Sequence, residues 1–189
     1  MTPWRESSTT SGAVSDTDAG DGLQRLWAPD RLAYVQGENR PESDQAGEDC
    51  PFCRAPAADD EASLVVARGE TCYVVLNLYP YNPGHALVCT YRHVAGYVDL
   101  TSGEAHELAD LTQQTVRALS EAFSPHGFNL GMNQGAIGGA GIAAHLHQHV
   151  VPRWGGDTNF MPVVAQTKVL PQSLQDTREA LRAAWPDSG

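Results

Sequence analysis

The sequence predicts an α+β fold in which one long helix and a shorter C-terminal helix pack on an antiparallel sheet of about five strands. Two observations lead to this fold class. Short runs of β-branched residues follow one another with only turn-sized gaps, which is typical of strands joined by hairpins. One long stretch has apolar residues at helical spacing, with a start signal before it and a proline after it.

The strands are predicted at short apolar runs that are separated by turn residues. These runs cover residues 63–68, 72–78, 85–91, 128–133, 145–153 and, as a further candidate, 159–165. The first two runs flank a Gly-Glu-Thr turn, so they are expected to pair as a hairpin.

The long helix is expected to begin after Thr101, because Thr101 and Glu104 form a capping-box pattern. Apolar residues then recur at helical spacing until Pro125 ends the run. A second helical spacing over residues 171–185 predicts the C-terminal helix. Together with the strands, these helices complete the predicted α+β architecture.

The 189 residues suffice for one compact domain with an extension. Residues 1–20 are rich in Ser, Thr, Gly and Asp, which predicts a disordered acidic tail. Residues 21–49 combine a short apolar patch with a polar segment and are interpreted as an N-terminal extension and linker. The folded domain is predicted over residues 50–185.

Charge and hydropathy restrict the classes of binding partner that the chain can have. The formal net charge of -11 repels the phosphate backbone of polymeric nucleic acids. Backbone N–H groups still allow a small phosphorylated ligand to bind. No apolar run approaches the roughly 18 residues of a membrane helix, so we expect no membrane partner. No apolar signal segment is recognised at the N-terminus, so we expect a cytoplasmic protein with reduced cysteines.

Three histidines, His145, His147 and His149, occupy alternate positions. A strand has a period of two, so the three rings are expected to face the same side of the sheet. They are interpreted as structural histidines, as a zinc site with an open position, or as a covalent catalyst that attacks phosphorus. The glycines over 135–141 favour a phosphate ligand, because they let backbone N–H groups approach it.

The segment 145–151 resembles the signature of the histidine-triad family, in which histidines alternate with apolar residues. Only Gln148 departs from this pattern. Residues 133–139 are similar to the family's Asn/Gly lead-in, and residues 77–88 are similar to its nucleotide-binding strand-turn-strand. Residues 151–162 are similar to a bacterial, notably actinobacterial, branch that includes diadenosine tetraphosphate phosphorylases.

The resemblance implies a role for each matching residue. His147 matches the nucleophile that forms a nucleotidyl-imidazole intermediate, and His149 matches the histidine that contacts phosphate oxygens and assists the leaving group. Asn133 matches an asparagine at the phosphate end of the site. Asn77 matches the residue that contacts the ribose hydroxyls, and His85 matches a histidine near the active-site strand.

The residues just before the triad depart from the family's hydrolases, which often carry Gln or Ser there. This chain has Gly139, Ala140 and Gly141 in that region. Their backbone N–H groups are therefore expected to bind the nucleotide's phosphate. The departure leaves the acceptor open between water, phosphate and another nucleophile.

Cys50 and Cys53 form a CxxC motif, which by itself indicates a redox pair, half of a metal site or two inert thiols. The polar loop before it is untypical of a redox motif. The resemblance implies structural Zn²⁺ on Cys50, Cys53, His93 and His145, a closed four-ligand set. This zinc would hold the strand that carries His147.

The resemblance therefore implies an enzyme that cleaves dinucleoside polyphosphates, such as diadenosine tetraphosphate, at the α-phosphorus through nucleotidyl-His147. Inorganic phosphate is favoured over water as the acceptor, a homodimer is expected, and no organic cofactor is needed. Three alternatives stay open. They are a hydrolase of nucleoside phosphoramidates or other mononucleotides, a non-enzymatic adenine-nucleotide sensor, and a metal-dependent catalyst with zinc on the triad.

Overall fold

The computed structural model describes residue 47 and residues 50–135, 137–157 and 172–186. Apart from Gly47, the predicted tail and N-terminal extension lie outside these residues, and so does the candidate strand over 159–165. The division of the chain into tail, extension and domain therefore stays a prediction.

The predicted antiparallel sheet is confirmed in the described part of the chain. Its strands are β1 (Val65–Arg68), β2 (Cys72–Leu76), β3 (Ala86–Thr90), β4 (Gly127–Met132) and β5 (His147–Arg153). They lie in the order β1-β2-β3-β5-β4, and every neighbouring pair is antiparallel. The last strand of the described residues is thus inserted between β3 and β4, so β5 has a hydrogen-bonded partner on both sides.

The start of β5 differs from the prediction. The sequence pattern placed His145 in the strand, but the strand begins at His147. The reason is a backbone hydrogen bond from the N–H of Leu146 to the carbonyl oxygen of Val94, 2.6 Å long, which holds Leu146 against the segment after β3. His145 therefore lies just outside the sheet, and its ring is free to take a different direction.

The α-helices of the described residues are α1 (Pro51–Arg54), α2 (Ser102–Phe123) and α3 (Leu174–Ala183), and short 3-10 turns lie at Ala55–Ala57 and Tyr97–Asp99. The predicted capping box begins α2, because the Thr101 side chain accepts from the N–H of Glu104 while the Thr101 N–H donates to the Glu104 carboxylate. The helix ends as predicted before Pro125, at Ser124 in the left-handed conformation. The one-turn helix α1 was not predicted.

The core lies between the sheet and the two longer helices. Every residue of β2 and β3 is buried. The α2 helix packs on β2, β3 and β5, while α3 packs on β1 and α2. Leu119 and Leu181 are fully buried in these contacts. Among the described residues, no helix is long and apolar enough to span a membrane.

Candidate active site

The two faces of β5 have different partners. Gln148 faces α2 and donates a 3.0 Å hydrogen bond from its Nε2 to Oγ1 of Thr112. The neighbouring positions His147 and His149 therefore point to the opposite face, because side chains alternate along a strand. Gln148 was the one departure from the apolar pattern, and its amide ties the histidine strand to the long helix.

The ring of His147 is held in one orientation. Its Nδ1 lies 2.8 Å from the carbonyl oxygen of His145. A carbonyl oxygen only accepts, so Nδ1 carries the proton and Nε2 keeps its lone pair. Burial lowers the pKa of His147, which keeps the imidazole neutral at pH 7. The result is a buried imidazole with a nucleophilic nitrogen.

A chain of hydrogen bonds fixes the tautomer of His149. The backbone N–H of Tyr81 donates to Nδ1 of His85 at 3.0 Å, so the proton of the neutral His85 ring is on Nε2. That Nε2 lies 2.9 Å from Nδ1 of His149, which must then accept. The proton of His149 is therefore on its Nε2.

The Nε2 atom of His149 is buried and has no hydrogen-bond partner in the described part of the chain. A buried donor without a partner costs free energy unless a ligand satisfies it. Burial, and to a lesser degree His147, lowers the pKa of His149 to about 4. His149 thus offers a neutral N–H donor that fits an oxygen of a bound phosphate.

The residues that the sequence predicts to bind the nucleotide lie around the rings of His147 and His149. The Asn77 side chain approaches Nδ1 of His85 at 3.3 Å, and its Oδ1 accepts from the N–H of Tyr79. Asn133 and His149 line the same cavity, which has a volume of about 420 Å³. The structure therefore brings Asn77, His85, Asn133 and His149 to one region.

The Gly-rich loop lies between β4 and the histidine segment. Gly139 has a φ of 82°, in the left-handed region that favours glycine. Ala140 is buried and Gly141 is half-buried. The role of Gly139, Ala140 and Gly141 in binding phosphate stays a prediction.

Cys50, Cys53, His93 and His145 form one cluster, and their potential ligand atoms all lie within 4.8 Å of one another. Nδ1 of His145 lies 3.4 Å from Sγ of Cys50 and 3.5 Å from Sγ of Cys53, and Nδ1 of His93 lies 3.3 Å from Sγ of Cys53. In a tetrahedral zinc site, sulfur and nitrogen ligands are about 3.6 Å apart. The donor set and its spacing therefore fit a structural Zn²⁺ ion.

The protonation pattern of the cluster also fits a metal ion. Nε2 of His145 lies 2.9 Å from the carbonyl oxygen of Thr90, so it carries the proton and leaves the Nδ1 lone pair facing the thiols. Burial lowers the pKa of His145 to about 4, so the ring is neutral. Burial raises the pKa of the Cys50 thiol, whereas a bound metal ion would deprotonate it.

Two aromatic residues of the site were missed from the sequence. Phe52, between the two cysteines, packs on His147 with ring centroids 4.7 Å apart. Tyr81 stacks on His149, with centroids 5.7 Å apart and an interplanar angle of 16°. The sequence did contain a signal for each of them. Phe52 lies inside the CxxC motif, and Tyr81 stands four positions before His85.

A strand that presents two alternate histidines, directly after a third histidine in a Cys/His cluster, defines a histidine-triad protein. The model of the HIT domain matches residues 59–156. The chain belongs to this family. The family and the fold class implied by the sequence motifs are therefore confirmed.

Similar proteins extend the comparison beyond the domain. A protein of Mycobacterium tuberculosis named AP-4-A phosphorylase is 46% identical over 181 residues, which are 94% of this chain and 93% of the relative. A zinc-bound histidine triad family protein from Mycobacterium smegmatis superposes with a TM-score of 0.57 at 25% identity, over 70% of this chain and 90% of that one. A hypothetical histidine triad nucleotide-binding protein from Sulfolobus tokodaii gives a TM-score of 0.58 at 23% identity, over 71% and 91%.

Proposed function

We propose that this chain is an enzyme that cleaves dinucleoside polyphosphates, with diadenosine tetraphosphate as the representative substrate. The observation that carries the proposal is the hydrogen bond from Nδ1 of His147 to the His145 carbonyl oxygen, because it leaves Nε2 as a nucleophile. The 46% identity to a protein named AP-4-A phosphorylase supports the substrate class and phosphate as the acceptor.

The proposed reaction has two displacements. Nε2 of His147 first attacks the α-phosphorus, and the bond from that phosphorus to the bridging oxygen breaks. The nucleoside polyphosphate leaves with the electron pair, while Nε2–H of His149 stabilises the phosphate oxygens and assists the leaving group. Inorganic phosphate or water then attacks the nucleotidyl-imidazole, and His147 is released. With diadenosine tetraphosphate, phosphate as the acceptor yields ADP and ATP.

The remaining site residues would bind the nucleotide. Asn77 would contact the ribose hydroxyls, and Asn133 would contact the phosphate. The backbone N–H groups over 139–141 would hold phosphate oxygens in place of the side chain that other family members carry there. The position of Asn77 beside His85, and of Asn133 beside His149 in one cavity, supports these assignments.

The Cys/His cluster would hold a structural zinc ion. Zinc would be bound by Cys50, Cys53, His93 and His145, and it would stabilise the turn before β5 without supplying a reactive water. The spacing of the four donors and the zinc-bound relative from Mycobacterium smegmatis support this assignment. Because the cluster uses only one residue of the triad, it favours structural zinc over zinc held by the triad.

The assembly state and the compartment are further parts of the proposal. A homodimer would use β4, which lies at an edge of the sheet formed by the described residues and where Leu130 is 52% exposed. None of the four cysteines forms a disulfide, which supports a reducing compartment such as the cytoplasm.

Product analysis of diadenosine tetraphosphate turnover, with and without inorganic phosphate, tests the proposal. Phosphate-dependent release of ADP and ATP is expected. AMP and ATP without added phosphate would mean that water is the acceptor. Absence of cleavage in both conditions would contradict the function, and nucleoside phosphoramidates and nucleotide-binding assays would then separate the other hydrolases from a sensor.

A matched pair of variants tests the covalent mechanism. His147→Ala is expected to abolish turnover, because the nucleophile is lost. His106→Ala, which changes an exposed histidine of α2, should leave turnover unchanged. Turnover that survives in His147→Ala would contradict the nucleotidyl-His147 intermediate.

A further inference from the structure

A cavity of about 420 Å³ opens on the histidine face of β4 and β5. Its lining includes Tyr81, Asn129, Gly131, Asn133, His149 and Arg153. Along β5 it runs from His149 to Arg153, a strand length of about 13 Å. We propose that this cavity binds the leaving half of the substrate, a nucleoside polyphosphate, with its phosphates at His149 and its nucleoside towards Arg153.

The sheet order separates the two halves of a dinucleotide substrate. β5 lies between β3 and β4. Asn77 and His85 lie on the β3 side, where the first nucleoside is assigned, whereas most of the residues that line the cavity belong to β4 and β5. In an in-line displacement the leaving oxygen is opposite the attacking atom, so the second half must extend away from His147. This inference rests on the function proposed above.

The end of the cavity near His149 suits phosphate. The unpartnered Nε2–H of His149 is a buried donor, and Asn133 lies beside it in the cavity wall. Phosphate oxygens are acceptors, and a charged acceptor makes the stronger hydrogen bond with such a donor. The phosphates that follow the reacting phosphorus would therefore enter the cavity at this end.

The far end suits an uncharged nucleoside. The guanidinium of Arg153 donates from Nε and Nη2 to the Asp157 carboxylate, at 2.6 and 3.0 Å, and from Nη1 to Oδ1 of Asn129 at 2.6 Å. Its positive charge is thus compensated. An uncharged nucleoside therefore fits this end better than a further phosphate would.

Gly131 keeps the floor of the cavity open. It lies opposite His149 in the β4–β5 register, and a Cβ atom there would meet nothing within 4 Å. Its φ is outside the left-handed region, so the backbone accepts a side chain. Gly103, at an exposed position in the first turn of α2, has similar space around a Cβ atom and does not line the cavity. Gly131→Val would therefore fill the cavity, and Gly103→Val is the matched control.

Isothermal titration calorimetry on the inactive His147→Ala protein tests the inference, with diadenosine tetraphosphate and AMP as the ligands. AMP occupies only the first half of the site. Adding Gly131→Val is expected to weaken binding of the dinucleotide roughly tenfold, and binding of AMP by less than about twofold. Adding Gly103→Val should leave both affinities unchanged.

A second variant keeps the test valid if Gly131→Val does not fold. Asn129→Trp places a large ring at an exposed position of the cavity lining and should also weaken binding of the dinucleotide roughly tenfold relative to AMP. Equal effects on both ligands, or a parent protein that binds the dinucleotide no tighter than AMP, would overturn the subsite. The proposed function fails on a different measurement, which is the absence of dinucleotide cleavage by the wild-type protein.

Discussion

The ring of Phe52 lies against the ring of His147, with centroids 4.7 Å apart and planes inclined by 40°. The backbone carbonyl of Phe52 accepts a 2.6 Å hydrogen bond from the hydroxyl of Tyr73, which anchors the α1 turn to β2. Phe52 stands between Cys50 and Cys53, so the segment that contributes to the Cys/His cluster also packs against the ring of His147. We therefore expect Phe52 to help position His147.

Phe52→Ala is expected to lower kcat by up to about tenfold while KM stays within about twofold, because an aromatic pair contributes about 0.5–1.5 kcal/mol. The ring of His147 would lose the wall that fixes its orientation. Steady-state kinetics with diadenosine tetraphosphate measure this split. Phe52→Leu, which keeps most of the volume, should recover part of kcat.

Phe128→Leu is the matched control, because Phe128 is partly buried against the core on β4. It should leave kcat unchanged. If Phe52→Ala raises KM with kcat unchanged, the ring contacts the substrate rather than positioning His147.

Removal of one cluster ligand is expected to remove the metal. Wild-type protein should hold about one zinc ion per chain, and a chelator should lower its Tm, because binding only to the folded state stabilises it. Cys53→Ala should lack zinc, melt at a lower temperature and no longer respond to the chelator. Elemental analysis and thermal melts measure these changes.

Cys72→Ala is the control for the metal experiment, since Cys72 is a buried cysteine of β2 outside the cluster. It should keep its zinc and its chelator response. Activity that disappears on chelation without any loss of Tm would contradict a structural role and favour a catalytic metal.

Local sequence patterns were sufficient to predict the strand and the helix that carry the site. The period of two correctly put His147 and His149 on one face of a strand. The capping box correctly located the start of α2 at Thr101, because its two hydrogen bonds join residues only three positions apart. Such features depend on neighbours in the chain, and the sequence contains them directly.

Features that depend on distant contacts could not be predicted. β5 begins at His147 because Leu146 bonds to Val94, far back in the chain. The contact of Phe52 with His147 likewise joins segments that are separated by most of the domain. No local periodicity indicates these pairs, so the packing of Phe52 on His147 was visible only in the folded structure.

Loss of the His85 side chain is expected to disturb the tautomer of His149. In His85→Ala the donor to Nδ1 of His149 is gone, so the proton can move to Nδ1 and Nε2 no longer donates to phosphate. We expect kcat to fall roughly a hundredfold. ¹⁵N NMR of the histidine rings reports the tautomer directly.

His85→Gln provides a partial rescue, because its amide N–H can donate to Nδ1 of His149. Its kcat should lie between those of the wild type and His85→Ala. An unchanged Nε2–H tautomer of His149 in His85→Ala, together with normal kcat, would contradict the hydrogen-bond chain.

The stability contributed by Glu104 is expected to depend on pH. The guanidinium of Arg92, assisted by Thr101, lowers the pKa of Glu104 to about 2, below its ordinary value of 4.5. A depressed carboxyl pKa stabilises the folded state above pH 4.5, and this stabilisation is lost as the pH falls from 4.5 through about 2. Glu104→Gln keeps a capping-box side chain but loses the charge. It should therefore lower the free energy of unfolding at pH 7 and have a smaller effect at pH 3, which urea denaturation measures.

Glu121→Gln, at an exposed position of the same helix, should have little effect at either pH. An equal penalty for Glu104→Gln at pH 7 and pH 3 would show that shape, not charge, accounts for the contribution of Glu104.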